Sequence, residues 1–186
     1  VTLRAFQIFA TGTHQPMQGP PITFDAGDLQ QIAAGYQPTR KSAKLVLGHP
    51  DVEAEDYGEV RTLVAEGNSL FALAEVKDTL IDWVRRGLYN AVSSSILPSG
   101  HPENPLTSGW YLRHVGFLGA QAPAVKNMQP IAFASSPGAL NFAAPEGAAV
   151  DPAGLRLYAT ALHIQTVMPG MTFIAAASLA ERALAR

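Results

Sequence analysis

Three short apolar runs constrain the fold of this chain most: Val46-Leu47-Gly48-His49-Pro50, Tyr89-Asn90-Ala91-Val92-Ser93-Ser94-Ser95-Ile96-Leu97 and Leu112-Arg113-His114-Val115-Gly116-Phe117-Leu118. Each has the length and apolar content of a strand. Each also carries reactive polar residues, so that together they hold one hydroxyl cluster and two imidazoles. A histidine buried at position 114 needs a hydrogen-bond partner, and the other imidazole is a natural one. These residues are the minimum kit for a serine nucleophile and its base. The competing reading is hydroxyls that line a strand end and pair locally.

The segments between these runs are expected to form a small α+β domain. Residues 2–9 partly alternate like a first strand, and Thr11-Gly12-Thr13-His14-Gln15-Pro16 reads as a polar turn with His14 solvated. Asp25 caps a helix carrying Leu29, Ile32, Ala33 and Tyr36 on one face, stopped by Gly35 and Pro38. Residues 57–64 and 69–76 are two strands joined through Glu66-Gly67-Asn68, a hairpin signature. Asp78 is expected to cap a second helix with Leu80, Ile81 and Val84 as its stripe, Trp83 at the edge and Gly87 as terminator. Residues 98–109 form a Pro/Gly/Ser-rich surface loop with His101 as a bystander. Composition changes at Ile131: residues 131–154 read as a linker and residues 155–186 as a helical pair, whose pattern opens at Asp151-Pro152 and breaks at Pro169-Gly170.

Composition excludes several classes. The chain has 186 residues, 47% of them apolar, enough to bury a core. Cysteine is absent, which removes disulfides, thiolate metal sites and cysteine nucleophiles. With a formal net charge of -2 and scattered basic residues, there is no electrostatic footprint for nucleic acid. The acidic stretch at residues 51–56 lacks calcium-loop spacing and reads as a solvated face, so neither metal nor cofactor is expected. No apolar run is long enough to span a bilayer, and Val1 in place of Met is read as a trimmed start.

On the residues alone, His49 is either an exposed turn residue or a ring held over a neighbouring strand by its flanking glycine and proline. Strand alternation puts Ser93 and Ser95 on one face and Ser94 on the other. It also puts Arg113 on the face opposite His114, with Leu112 and Gly116 beside the histidine.

The order of these pieces over residues 6–125 resembles the Mu-like phage I proteins. These belong to the tailed-phage prohead proteases and are related to the herpesvirus assembly proteases. The resemblance rests on Gly48-His49-Pro50, Tyr57-Gly58-Glu59-Val60, Val92-Ser93-Ser94-Ser95 and the run from Leu112 through Gln121-Ala122-Pro123-Ala124-Val125. It implies a small, mainly antiparallel β-barrel with flanking helices, and a serine protease domain over residues 1–130. It also implies Ser93 as nucleophile, with Ser95 as the alternative, His49 as base and His114 as third member. Arg113 or backbone amides would hold the oxyanion. Val92 and Ser94 depart from the arginine and alanine many relatives carry. Where other prohead proteases have a carboxylate, Val115 and Gly116 stand here. The implied function is a prohead endopeptidase that cleaves scaffold and itself, the latter within residues 131–154. Its partners would be scaffold, major capsid protein and a second copy, inside a prohead in the host cytoplasm. The alternative is a scaffolding protein that keeps the fold with weak or lost chemistry.

Overall fold

The computed structural model describes residues 1–16, 19–50, 55–119 and 152–185. Contacts divide the chain into two units, Val1–Ala132 and Phe133–Arg186. The described part of the first unit runs β1 (Thr2–Ala10), β2 (Gly12–His14), β3 (Ile22–Phe24), α1 (Ala26–Gly35), β4 (Lys44–Leu47), β5 (Gly58–Glu66), β6 (Ser69–Val76), α2 (Asp78–Arg85), β7 (Ala91–Leu97) and β8 (Tyr111–Leu118).

Local sequence dictates most of these elements. Asp25 and Asp28 form a reciprocal capping box at the start of α1, each carboxylate accepting the other's backbone amide at 2.9 Å. Such a cap contributes about 1 kcal/mol. Leu29 and Ile32 are buried, and Tyr36 just beyond the helix donates its hydroxyl to the Val60 carbonyl at 2.9 Å and accepts from the Ala43 amide at 2.8 Å. Those two bonds fix where the chain enters β4, which ends at the histidine motif. β5 and β6 form the expected hairpin, with Gly67 at φ 56 in its turn. In α2 the stripe Leu80, Ile81 and Val84 is buried.

The structure corrects two local expectations. Asp78 does not cap α2: Lys77 occupies the cap position and its side chain makes no capping bond to the helix, while the Asp78 carboxylate accepts from Thr2 Oγ1 at 3.5 Å. A carboxylate in the first turn still suits the helix dipole. His14 is not a solvated turn residue. It lies in β2, which pairs with β3 in a separate two-stranded sheet, and it is buried with Nε2 2.9 Å from the Ala10 carbonyl oxygen. Phe9 lies 5.0 Å from its ring, and Phe24 covers Phe9.

The expected closed, mainly antiparallel barrel is also corrected. The fold is α+β, but the main sheet is mixed and open, with strand order β1-β6-β5-β4-β8-β7. β4 and β8 run parallel, Leu45 opposite Val115 and Leu47 opposite Phe117, because the chain leaves β4, builds β5, β6, α2 and β7, and only then returns. A barrel requires a final ladder between its terminal strands. Among the described residues, β1 and β7 form none. The sheet curls enough for Phe6 of β1 to meet Phe117 of β8 edge-on at 5.7 Å, so its concave side is packed. Ile8, Leu45, Leu73, Val92, Val115 and Phe117 are among the core residues of this unit.

The second unit contains α3 (Pro152–Val167) and α4 (Phe173–Leu184). Thr172 caps α4 by accepting the Ala175 amide at 3.3 Å, and Tyr158 and Phe173 bring their rings to 5.5 Å. Ile164, Met168, Leu179 and Ala180 are buried.

Candidate active site

The site lies where β4 ends beside β8 and β7. Gly48 extends the parallel pairing by one bond, its amide donating to the Phe117 carbonyl at 3.0 Å. With φ at +65 it then turns the chain, a conformation glycine adopts without the usual side-chain penalty. The turn carries His49 across β8. A Cβ built on Gly116 would fall 2.1 Å from the Gly48 carbonyl oxygen and 3.2 Å from His49 Cε1. The imidazole therefore lies over the one position of β8 that lacks a side chain.

β7 completes the arrangement. Its register places Ser93 opposite Gly116, Ser94 opposite Val115 and Ser95 opposite His114. Paired residues of an antiparallel ladder share a face, so Ser93, Ser95, Gly116 and His114 lie on one side, and neighbouring Cα atoms across the ladder are about 5 Å apart. Ser93 adjoins the place where His49 sits; Ser95 is one step further along, beside His114. Ser94, on the other face, donates its hydroxyl to the Ile8 carbonyl at 2.7 Å.

The two histidines are joined. His49 Nδ1 and His114 Nε2 are 2.9 Å apart, and the rings stack with centroids at 5.2 Å and 26° between planes. His114 is fully buried, whereas His49 as a residue is exposed. Partial burial of the His49 ring, the adjacent His114 and the Arg113 guanidinium each lower its pKa from the ordinary 6.5. At neutral pH the ring is therefore uncharged, with a nitrogen lone pair able to accept a proton. Among the described residues no hydrogen bond joins Ser93 Oγ to His49, and Ser93 is only 5% exposed.

Arg113 occupies an irregular position. Ser95 pairs with His114 and Ile96 with Leu112, so Arg113 is the extra residue of a β-bulge in β8. A bulge breaks the alternation that would set Arg113 strictly opposite His114, and it moves Leu112 off the His114 face. Arg113 Nε lies 3.7 Å from Glu103 Oε2, which Lys41 Nζ also holds at 2.7 Å. The loop presenting Glu103 is pinned by Asn104, whose amide donates to Pro98 O at 3.0 Å and Gly109 O at 2.9 Å. His101 Nδ1 accepts the Glu103 amide at 3.1 Å, which gives this histidine a local structural task.

Sequence reasoning missed the part played by Gly116. A glycine inside a strand pattern signals close approach of another backbone, and here that backbone is Gly48. The same contact leaves no room for a side chain at 116, a carboxylate included, without displacing the Gly48 backbone and the His49 ring. Val115 pairs with Ser94 on the other face and is fully buried.

Of the acidic stretch, residues 51–54 lie outside the described residues; Asp56 pairs with Lys77 at 2.9 Å. No group of metal-ligating side chains forms among the described residues. Among them, too, no helix is long and apolar enough to cross a membrane. The Gln121 to Val125 motif and residues 131–151 of the anticipated cleavage segment also lie outside the described residues, while its last three, 152–154, open helix α3.

One expected outcome concerns pH. A base acts only when neutral, so activity that depends on His49 should fall as pH drops through its lowered pKa. The acid limb of a kcat/KM profile should therefore lie below 6.5. Stability follows the same sign. The unfolded chain binds the His49 proton more tightly, so the folded state loses stability as pH falls from about 6.5 toward the lowered value. A limb at or above 6.5 would show that His49 is not the titrating base.

No family model matches this chain, and no curated protein matches it.

Proposed function

We propose that the first unit is a serine hydrolase with Ser93 as nucleophile, His49 as general base and His114 as the residue that orients the base. Within that class we assign it to the prohead endopeptidases resembled by its motifs, acting in the host cytoplasm within an assembling phage prohead. Scaffold, major capsid protein and a second copy of the chain would be its partners. The supporting observation is the imidazole pair, 2.9 Å apart, held over Gly116 directly beside Ser93.

In this reading the His49 Nδ1 proton is donated to His114 Nε2, leaving His49 Nε2 as acceptor. Ser93 Oγ attacks the scissile carbonyl as His49 takes its proton. The C–N bond then breaks, and His49 returns the proton to the departing amine. Water, deprotonated by His49, releases the acyl group. Arg113 at the β8 bulge, or backbone amides, would stabilise the oxyanion. Histidine supplies the base with less charge stabilisation than a carboxylate, so turnover should be slow, which suffices where substrate is concentrated beside the enzyme.

The near-complete burial of Ser93 and its missing bond to His49 favour a second reading, a scaffolding protein that retains the fold with weak or lost chemistry. Intact-mass analysis of a form extended at the C-terminus separates the two. Wild type and Ser95→Ala should be trimmed within residues 131–154, while Ser93→Ala and His49→Ala stay whole. Four intact or equally trimmed proteins would favour the scaffold.

A further inference from the structure

The strand that carries Ser93 is an edge. β7 closes one side of the six-stranded sheet and β1 the other. The ladder to β8 fixes the inner side of β7, but the residue directly opposite Ser93 is Gly116, which offers no side chain there. Cross-strand pairs are what normally hold a residue in place on a sheet. His49, by contrast, is fixed by β4 and by His114 on β8. The spacing between nucleophile and base thus depends on how firmly β7 is held at its outer edge.

A bulge in β1 supplies that hold. The pairing of β1 with β6 slips between Gln7 and Phe9, which leaves Ile8 as the extra residue. A bulged residue is released from the ladder and re-aimed, and the Ile8 carbonyl accepts the Ser94 hydroxyl at 2.7 Å, across 86 positions of sequence. The Ile8 side chain is fully buried, so the acceptor is anchored in the core. Val115, register partner of Ser94, is fully buried on the same face and leaves the hydroxyl little room to turn elsewhere.

We propose that Ser94 is a positioning residue: its hydroxyl ties the outer edge of β7 to the bulge of β1 and so sets the Ser93 hydroxyl against His49. This role rests on the serine-hydrolase reading. Removing the tie leaves the β8 ladder and the imidazole pair intact but lets the nucleophile drift, and displacements of about 1 Å cost up to a hundred-fold in rate.

The test uses a fluorophosphonate, which modifies an activated serine, together with hydrogen exchange of the β7 amides. Ser94→Ala should label at Ser93 about ten-fold more slowly and exchange faster over Ala91–Leu97; Ser94→Thr, which keeps the hydroxyl, should restore both. Labelling of Ser94→Ala at the wild-type rate, or equal slowing in the threonine variant, would overturn the role. Failure of wild type to label would overturn the hydrolase reading and this role with it. Exchange in Ser94→Ala would then still report whether the tie holds the edge.

Discussion

Gly116→Ala is expected to abolish activity and weaken the fold together. The added methyl would stand 2.1 Å from the Gly48 carbonyl oxygen, a backbone atom that cannot rotate aside, and 3.2 Å from the His49 ring. Either β4 and β8 move apart or the Gly48–His49 turn lifts away. Overpacking of this kind costs about 1–3 kcal/mol, read as a lower denaturant midpoint, and a base lifted by an ångström loses about a hundred-fold or more in kcat. Gly48→Ala is the control. A Cβ there meets nothing within 4 Å, so only its left-handed φ of +65 opposes the change. That strain costs about 1–2 kcal/mol and should leave much more activity. A fully active Gly116→Ala protein would mean that His49 does not work from over β8.

His49→Ala should lower kcat/KM for a peptide by about 10²–10⁴-fold, the contribution of a positioned general base, with KM little changed. His114→Gln should cost less, because the base remains while its orientation loosens. It should also leave a signature in pH. His114 is one of the groups that lower the His49 pKa, so its replacement should move the acid limb up toward 6.5. Equal losses in both variants with an unmoved limb would reduce His114 to a packing residue.

Much of this was legible in the sequence. The strands bearing Ser93, His49 and His114, the β5–β6 hairpin, the Asp25 cap and the shared face of Ser93 and Ser95 follow from alternation and turn chemistry. What was hidden depends on adjacency. Alternation says which face a side chain takes but not which strand lies beside it, so the parallel β4–β8 pairing and the open edge between β1 and β7 had no local signal. Bulges at Ile8 and Arg113 shift register by one residue, which reassigns Arg113 and Leu112 without any change of sequence pattern. His14 was misread because a Gly/Pro-flanked polar segment looks solvated, whereas Phe9 and Phe24 pack around it.

The most direct test of the account is to treat the wild-type protein with a fluorophosphonate and locate the adduct by peptide mass. A single adduct on Ser93 is expected, absent in His49→Ala and fading as pH falls below 6.5. No adduct, or one on Ser95 that survives loss of His49, would contradict it.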